Sequence, residues 1–436
     1  MQTYIEDIGN CVGNEVVIKG WLYNKRSSGK LWFLLVRDGT GIIQTVISQK
    51  DVAPEIFAAA EKVTQESSLI LCGRVREDKR APGGYEIVTS ELAIVQLAQE
   101  YPITPKEHGT EFLMAHRHLW LRSRRQHAVL RCRDTMIRAF HDFFAGRGFI
   151  LIDPPIITPT SCEGSTELFE VRYFDEKAYL SQSGQLYMEP AAAAFGKVYC
   201  LAPSFRAEKS KTRRHLTEFW HLEPEVAFMD LEGAMELAED MLVFVVRRVL
   251  ERRSNELGLL GEKVEGFEKH LDLLQRLDKP FARISYTDAV AMLNKKGIKM
   301  EWGVKFGADE EALISRLFEK PVFVHRYPKA SAPFYMKEDS ENPLVVRNFD
   351  LLAPEGYGEI IGGSQREDDL ERLEAAILRE RLPREPLDWY LDLRRYGTFE
   401  HAGFGIGMER TLAWITGIHH VRETIPFPRM LEKLYP

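Results

Sequence analysis

Several features are scarce or missing in this chain of 436 residues. Cysteine is the first: Cys11, Cys72, Cys132, Cys162 and Cys200 are scattered, with no C-x-x-C pair. An odd count without paired spacing excludes a disulfide framework and a cysteine-based zinc site, and fits a reducing compartment. No run of about 18 apolar residues occurs, so no membrane-spanning helix is expected. The opening M-Q-T-Y-I-E-D-I-G-N has no apolar stretch of the signal-peptide kind, and a cytoplasmic protein is expected. Positive charge is also in deficit, with 58 Lys and Arg against 65 Asp and Glu, a net charge of -7. That excludes a globally basic nucleic-acid binder, so any such contact must come from local patches.

What is present reads as a globular protein of two or three domains, with 44% hydrophobic and 28% charged residues. Residues 1–98 carry short β-branched and aromatic runs: Val16–Lys25, Leu31–Val36, Ile42–Ile47, Ser68–Val75 and Tyr85–Val88, with one helix-like stretch, Pro54–Lys62. A five-stranded barrel with a single helix, the layout of an oligonucleotide-binding (OB) fold, fits that spacing. Trp32 and Phe33, with Lys25, Arg26 and Lys30 nearby, suit stacking on unpaired bases. The same aromatics also suit the barrel core. Residues 99–122, with Pro102 and Pro105, read as a linker or hinge, and a large domain is expected over 123–436. The basic run from Arg117 through Arg122, Arg124, Arg125, Arg131 and Arg133 suits contact with an RNA backbone, or equally a solvated helix face.

The large domain centres on Phe205–Phe219, F-R-A-E-K-S-K-T-R-R-H-L-T-E-F. Arg206 and Glu208 share one face of an extended strand, Lys209 to Arg214 form a basic loop, and His215 to Phe219 return as a second strand. Such a hairpin can hold a polyphosphate on an arginine fork, although a solvated hairpin would look alike. Upstream lie F-I-L-I-D-P-P-I-I-T-P, the loop Ser161–Phe169 and the strand-to-helix transition Y-L-S-Q-S-G-Q-L-Y. Glu232–Leu257 is expected as a long amphipathic helix, and 258–339 as helical and turn-like. Further on, N-F-D-L-L and G-E-I-I-G-G-S-Q-R put two acids and an arginine on neighbouring strand ends. G-F-G-I-G-M-E-R is spaced G-x-G-x-G, which is not a dinucleotide fingerprint, and opens a helix at Glu409. A glycine-rich strand admits a flat ring close to the backbone, with Arg410 placed to lie over it.

In this order, the stretches around Pro155, Arg206 and Arg410 resemble motifs 1, 2 and 3 of the class II aminoacyl-tRNA synthetases. Together with the N-terminal barrel they resemble the aspartyl, asparaginyl and lysyl subgroup along nearly the whole chain. The phrases S-G-Q-L-Y, F-R-A-E, R-H-L-T-E-F-W-H-L-E-P-E and G-E-I-I-G-G-S-Q-R are most similar to its asparaginyl members. The resemblance implies an α+β chain: the OB-fold barrel, then an antiparallel catalytic sheet flanked by helices. It also implies a homodimer joined through motif 1. Arg206 would hold the ATP α-phosphate and the amino-acid carboxylate, and Glu208 would meet the adenine amino group. Phe219 and Arg410 would sandwich the ring, Arg214 and His215 would meet the γ-phosphate, and Asp350 and Glu359 would ligate magnesium. Glu163 and Gln185 match positions that hold the α-ammonium group. In the barrel, Phe33 and Gln44 match positions that contact the middle anticodon base, with Arg26 a further candidate.

The choice between asparagine and aspartate turns on a departure. Aspartyl members carry a lysine where this chain has Met188, followed here by Glu189. Glu189 would repel a substrate carboxylate and accept from the asparagine amide, while Arg366 donates to the amide oxygen. The implied activity is formation of asparaginyl-adenylate with release of pyrophosphate, then transfer to the 3′-hydroxyl of the asparagine tRNA. The alternatives are an aspartyl enzyme charging one or both tRNAs, a tRNA-independent asparagine synthetase, and a non-catalytic RNA-binding paralogue.

Overall fold

The computed structural model describes residues 2–160, 162, 167–262 and 264–436. Two compact units emerge, Met1–Leu113 and Met114–Pro436. Among the described residues no helix is long and apolar enough to cross a membrane.

In the first unit β1 (Glu15–Ser28), β2 (Leu31–Arg37), β3 (Ile42–Ser48), β4 (Ser68–Glu77) and β5 (Tyr85–Gln96) close into a barrel in the order β1-β2-β3-β5-β4. The two-residue period of a strand sends Ile18, Leu22, Leu34, Val36, Ile43, Ile47, Leu69 and Leu71 inward, where all are buried. The helix Pro54–Lys62 starts on proline, whose missing N–H costs nothing in a first turn, and buries Ala60. β5 runs eight residues beyond the expected Val88. It pairs with β3 only through residues 86–88 and then continues against β4 alone, so Ser90 and Glu91 can face solvent and interrupt the apolar pattern. At the register shift beside Cys72, a Cβ on Gly73 would run into the Val88 carbonyl, and glycine is what lets β4 and β5 approach.

The second unit carries β6 (Ile150–Leu151), β7 (Ile157–Thr158), β8 (Glu170–Tyr173), β9 (Glu176–Leu180), β10 (Lys197–Phe205), β11 (Glu218–Ala227), β12 (Ala282–Ser285), β13 (Val322–His325), β14 (Asn348–Ala353), β15 (Gly358–Gln365) and β16 (His401–Gly407). Eight of them form one sheet ordered β12-β13-β14-β15-β16-β11-β10-β6, and β7-β9-β8 form a small second sheet. The large sheet is antiparallel except at its two outermost pairs. The helices Arg124–Gly146 and Leu231–Gly261 pack together on it, burying Phe140, Phe144, Met241 and Val245 with Phe349, Ile361, Phe404 and Ile406. β12 and β13 lie in the stretch expected to be helical and turn-like; at four residues each they are too short for their alternation to show in sequence.

Two further expectations change. β10 ends at Phe205 and β11 begins at Glu218, so Arg206 and Glu208 lie on the connecting loop and not on a strand. Arg206 N–H still donates to the Thr217 carbonyl at 3.0 Å, but Ala207 N–H already turns to Glu167, and the ladder stops there. The basic run is partly internal. Arg117 is fully buried and donates to the carbonyls of Ile425 and Pro426, each at 2.8 Å. Arg133 pairs with Glu409 at 2.8 Å, both buried. These two arginines satisfy interior acceptors, so neither faces RNA or solvent. A run of arginines carries no mark of which members meet a buried acceptor.

Candidate active site

Two adjoining cavities lie over β11, β14, β15 and β16, sharing Arg206, His221, Glu359 and Gly405 as lining residues. The smaller, about 90 Å³, is walled by Phe219, Arg410, His215, Arg214, Gly405 and Gly407. Phe219 comes from β11 and Arg410 from the helix Met408–Thr416 that β16 opens, and the Arg206 guanidinium stands 5.5 Å from the Phe219 ring. Arg410 Nη1 donates to a Glu359 carboxylate oxygen at 3.0 Å, and Arg214 Nη2 to Glu311 at 2.6 Å. Gly358, at φ +70°, has no side chain to displace the Arg214 guanidinium lying against it.

Three arginines in one place leave an electrostatic signature. Burial first, then Arg410, Arg214 and Arg206, pull the His215 imidazole down to about 4, so it is neutral near pH 7. Burial works against Glu359 ionising, but Arg410, Arg206 and Arg214 outweigh it and hold that carboxyl below its ordinary value. For Asp350 the balance goes the other way: burial, then Glu359 and Glu311, push it well above the usual carboxylate range, outweighing Tyr327 and Lys305. A Cβ on Gly362 would lie 3.2 Å from Glu359 Oε1 and 3.4 Å from Asp350 Oδ1, so the bare backbone between β14 and β15 brings the two acids together. Glu208, by contrast, lines neither cavity.

The larger cavity, about 220 Å³, runs from Arg206 to Gln185, Glu223, Glu225 and Arg366. Arg366 donates to both Glu225 oxygens, at 3.0 and 2.8 Å, and to Ser364 at 2.7 Å. Burial opposes the Arg366 charge, yet the Glu225 pair raises its pKa above the ordinary value. Glycines on β16 make room for this arrangement. A Cβ on Gly403 would displace Glu225, and one on Gly405 would displace His221. The glycine strand, expected to admit a ligand's ring, thus also admits side chains of β11.

Glu189, expected to face the substrate, does not line the cavity. It is fully buried behind Gln185, accepting from Gln185, Tyr390, Arg394 and His401. Burial works to raise its carboxyl, but Arg394 and His401 hold it well below the ordinary range. A helical acid four residues after a lining residue gives no sequence sign of the other three partners, which come from 201 to 212 residues away. Glu163 lies outside the described residues. Sequence reasoning gave Glu223 and Glu225 no role, although H-L-E-P-E places His221, Glu223 and Glu225 on one strand face at a spacing of two. It also missed Glu311 and Lys305, which come from the stretch it left unread.

In the barrel, Arg26 on β1 is the register partner of Phe33 on β2, and its guanidinium lies 4.6 Å from the ring. Gln44 on β3 is buried, and its amide donates to Glu86 at 2.8 Å. Glu86 also accepts from Arg76, a partner absent from the sequence reading.

Residues 109–431 match the family model described as tRNA synthetases class II (D, K and N), and residues 16–95 match the OB-fold nucleic acid binding domain. Asparagine–tRNA ligases of Sorangium cellulosum and Desulforamulus reducens are 57% and 56% identical to this chain, over 99% and 100% of it and 98% and 99% of their own lengths. The crystal structure of asparaginyl-tRNA synthetase from Pyrococcus horikoshii complexed with asparaginyl-adenylate matches at a TM-score of 0.96 and 44% identity, over 100% of both chains. With barrel, catalytic sheet and paired cavities all in agreement, the chain belongs to the class II tRNA synthetases of the D, K and N group, and within it to the asparagine–tRNA ligases.

Proposed function

We propose that the protein joins asparagine to its tRNA in two steps, first forming asparaginyl-adenylate from ATP with release of pyrophosphate, then esterifying the 3′-terminal adenosine. The observation that carries this is the Glu225–Arg366 pair closing one end of a cavity whose other end holds Arg206. An asparagine amide offers both a donor and an acceptor, matching a carboxylate beside a guanidinium. An aspartate carboxylate would meet Glu225 as a like charge in a desolvated place. Arg206 would neutralise the α-phosphate and align the amino-acid carboxylate for in-line attack. That carboxylate is already ionised, so no general base is needed and positioning carries the rate. Phe219 and Arg410 would hold adenine between them, with Glu208 at its amino group, and Arg214 and His215 would meet the γ-phosphate. Gln185 and Glu163 would hold the ammonium group.

Asp350 and Glu359 fit a divalent cation: two hard oxygen donors brought together at Gly362, one of them costly to ionise alone. Magnesium bound there would neutralise phosphate charge. Arg26, Phe33 and Gln44 would meet the anticodon. Ile150, Leu151, Ile156 and Ile157, between 45 and 47% exposed in the motif 1 segment, support a homodimer through that surface. Five free cysteines fit the cytoplasm.

Amino-acid-dependent exchange of pyrophosphate into ATP, run without tRNA and with asparagine and aspartate in parallel, tests the reading. Exchange with asparagine alone is expected. Exchange with aspartate would show that the Glu225–Arg366 end has been misassigned.

A further inference from the structure

Glu189 lines neither of the two cavities, yet four donors converge on it. Tyr390 Oη reaches Oε1 at 2.8 Å and Gln185 Nε2 reaches the same oxygen at 3.2 Å. Arg394 Nη2 and His401 Nε2 reach Oε2 at 2.9 and 3.0 Å. The donors come from its own helix, from the helix Asp388–Arg395 and from β16. Glu189, Glu225 and His401 stand close enough to suggest a metal cluster. Arg394 and Arg366 already neutralise its two acids, so the cluster is a closed ion-pair network.

The consequence falls on Gln185, which sits one helical turn before Glu189 and lines the cavity. An ionised carboxylate can only accept, so an amide held against it must offer its NH2 and turn its carbonyl away. We infer that Glu189 is a positioning residue for the amino acid: by staying ionised it locks the Gln185 amide with its carbonyl towards the cavity, as acceptor for the substrate's ammonium group. Arg394, at 1% side-chain exposure, lines neither cavity and acts through its pair with Glu189. The inference rests on the proposed activity and adds a determinant that lies outside the pocket.

Glu189→Gln keeps the shape but can itself donate, which frees Gln185 to rotate and present NH2 to an ammonium. In pyrophosphate exchange the KM for asparagine is expected to rise about tenfold to a hundredfold, what a hydrogen bond to a charged group is worth. The KM for ATP should stay within about twofold. Because this variant strands the buried Arg394 charge, a second pair of variants accompanies it. Arg394→Lys preserves a cation and should stay near wild type. Arg394→Met lets Glu189 take up a proton, and its KM for asparagine should climb as pH falls. The groups facing Glu189 in that profile are Arg394, His401, Tyr390 and the second acid Glu225, with Arg366 acting through its pair with Glu225. Equal rises in both KM values, an unchanged KM for asparagine in Glu189→Gln, or indistinguishable Arg394 variants would overturn the assignment. Wild-type protein silent with asparagine would instead overturn the activity, and the inference with it.

Discussion

At the amino-acid end of the site, Arg366 faces Glu225 and Arg394 faces Glu189, and all four side chains are at most 4% exposed. At the nucleotide end, Arg214 and Arg410 rest against Glu311 and Glu359 with side chains 13 to 35% exposed, and burial with Glu359 and Glu311 pushes the Asp350 carboxyl well above the usual range. The same residue types do two jobs. A closed network at low dielectric presents fixed donors and acceptors, which suits the reading of a small neutral amide. Half-open pairs can exchange partners, which suits a polyphosphate arriving with a divalent cation.

The largest effect should come from Arg206→Ala, the one cation common to both cavities. Exchange should fall about a hundredfold to a thousandfold, the scale of losing charge stabilisation in the transition state, with an unchanged melting temperature. Next, Arg366→Met and Arg214→Met set the two ends against each other. Stranding Glu225 should cost about 3–5 kcal/mol in urea denaturation, as for any broken buried pair. Stranding the less buried Glu311 should change stability little, while the KM for ATP rises about tenfold. Equal destabilisation would erase the distinction between the ends. In the barrel, Phe33→Ala should lower tRNA charging by about tenfold, a stacked base's worth, and spare tRNA-independent exchange. Equal loss in both assays would make Phe33 a core residue.

The smallest effect concerns pH. Burial first, then nearby arginines, lower His215 and His420 from 6.5 to about 4. The unfolded chain therefore binds their protons more readily than the folded one. Their contribution to stability is intact above about pH 6.5 and is lost as pH falls towards 4. Melting temperature should decline over that window, and His420→Gln should flatten the decline.

The barrel was legible because alternation at period two survives in each strand, and β5 outran its prediction only where one-sided pairing relaxes the pattern. Within the catalytic unit, the resemblance to the family's motifs singled out Arg206, Phe219, Glu359, Gln185, Arg366 and Arg410, and all six line the two cavities. Glu189 was misplaced because its partners Tyr390, Arg394 and His401 lie some two hundred residues away, and burial is a property of those partners. Glu225 was in plain view on a strand face shared with His221. Arg206 and Glu208 were put on a strand because an alternating pair reads the same whether or not a neighbouring strand continues beside it.

The ties of Arg117 to Ile425 and Pro426 span more than 300 residues of chain. During synthesis, at roughly 5–20 residues per second, this guanidinium emerges well before its acceptors exist. The barrel, a compact unit of its own, can close early, but the catalytic unit cannot seat this guanidinium on its buried acceptors until residues 423–426 arrive. Nascent chains stalled before residue 423 should therefore show a protease-resistant barrel followed by a cleavable remainder, and emergence of residues 423–426 should restore resistance to that remainder.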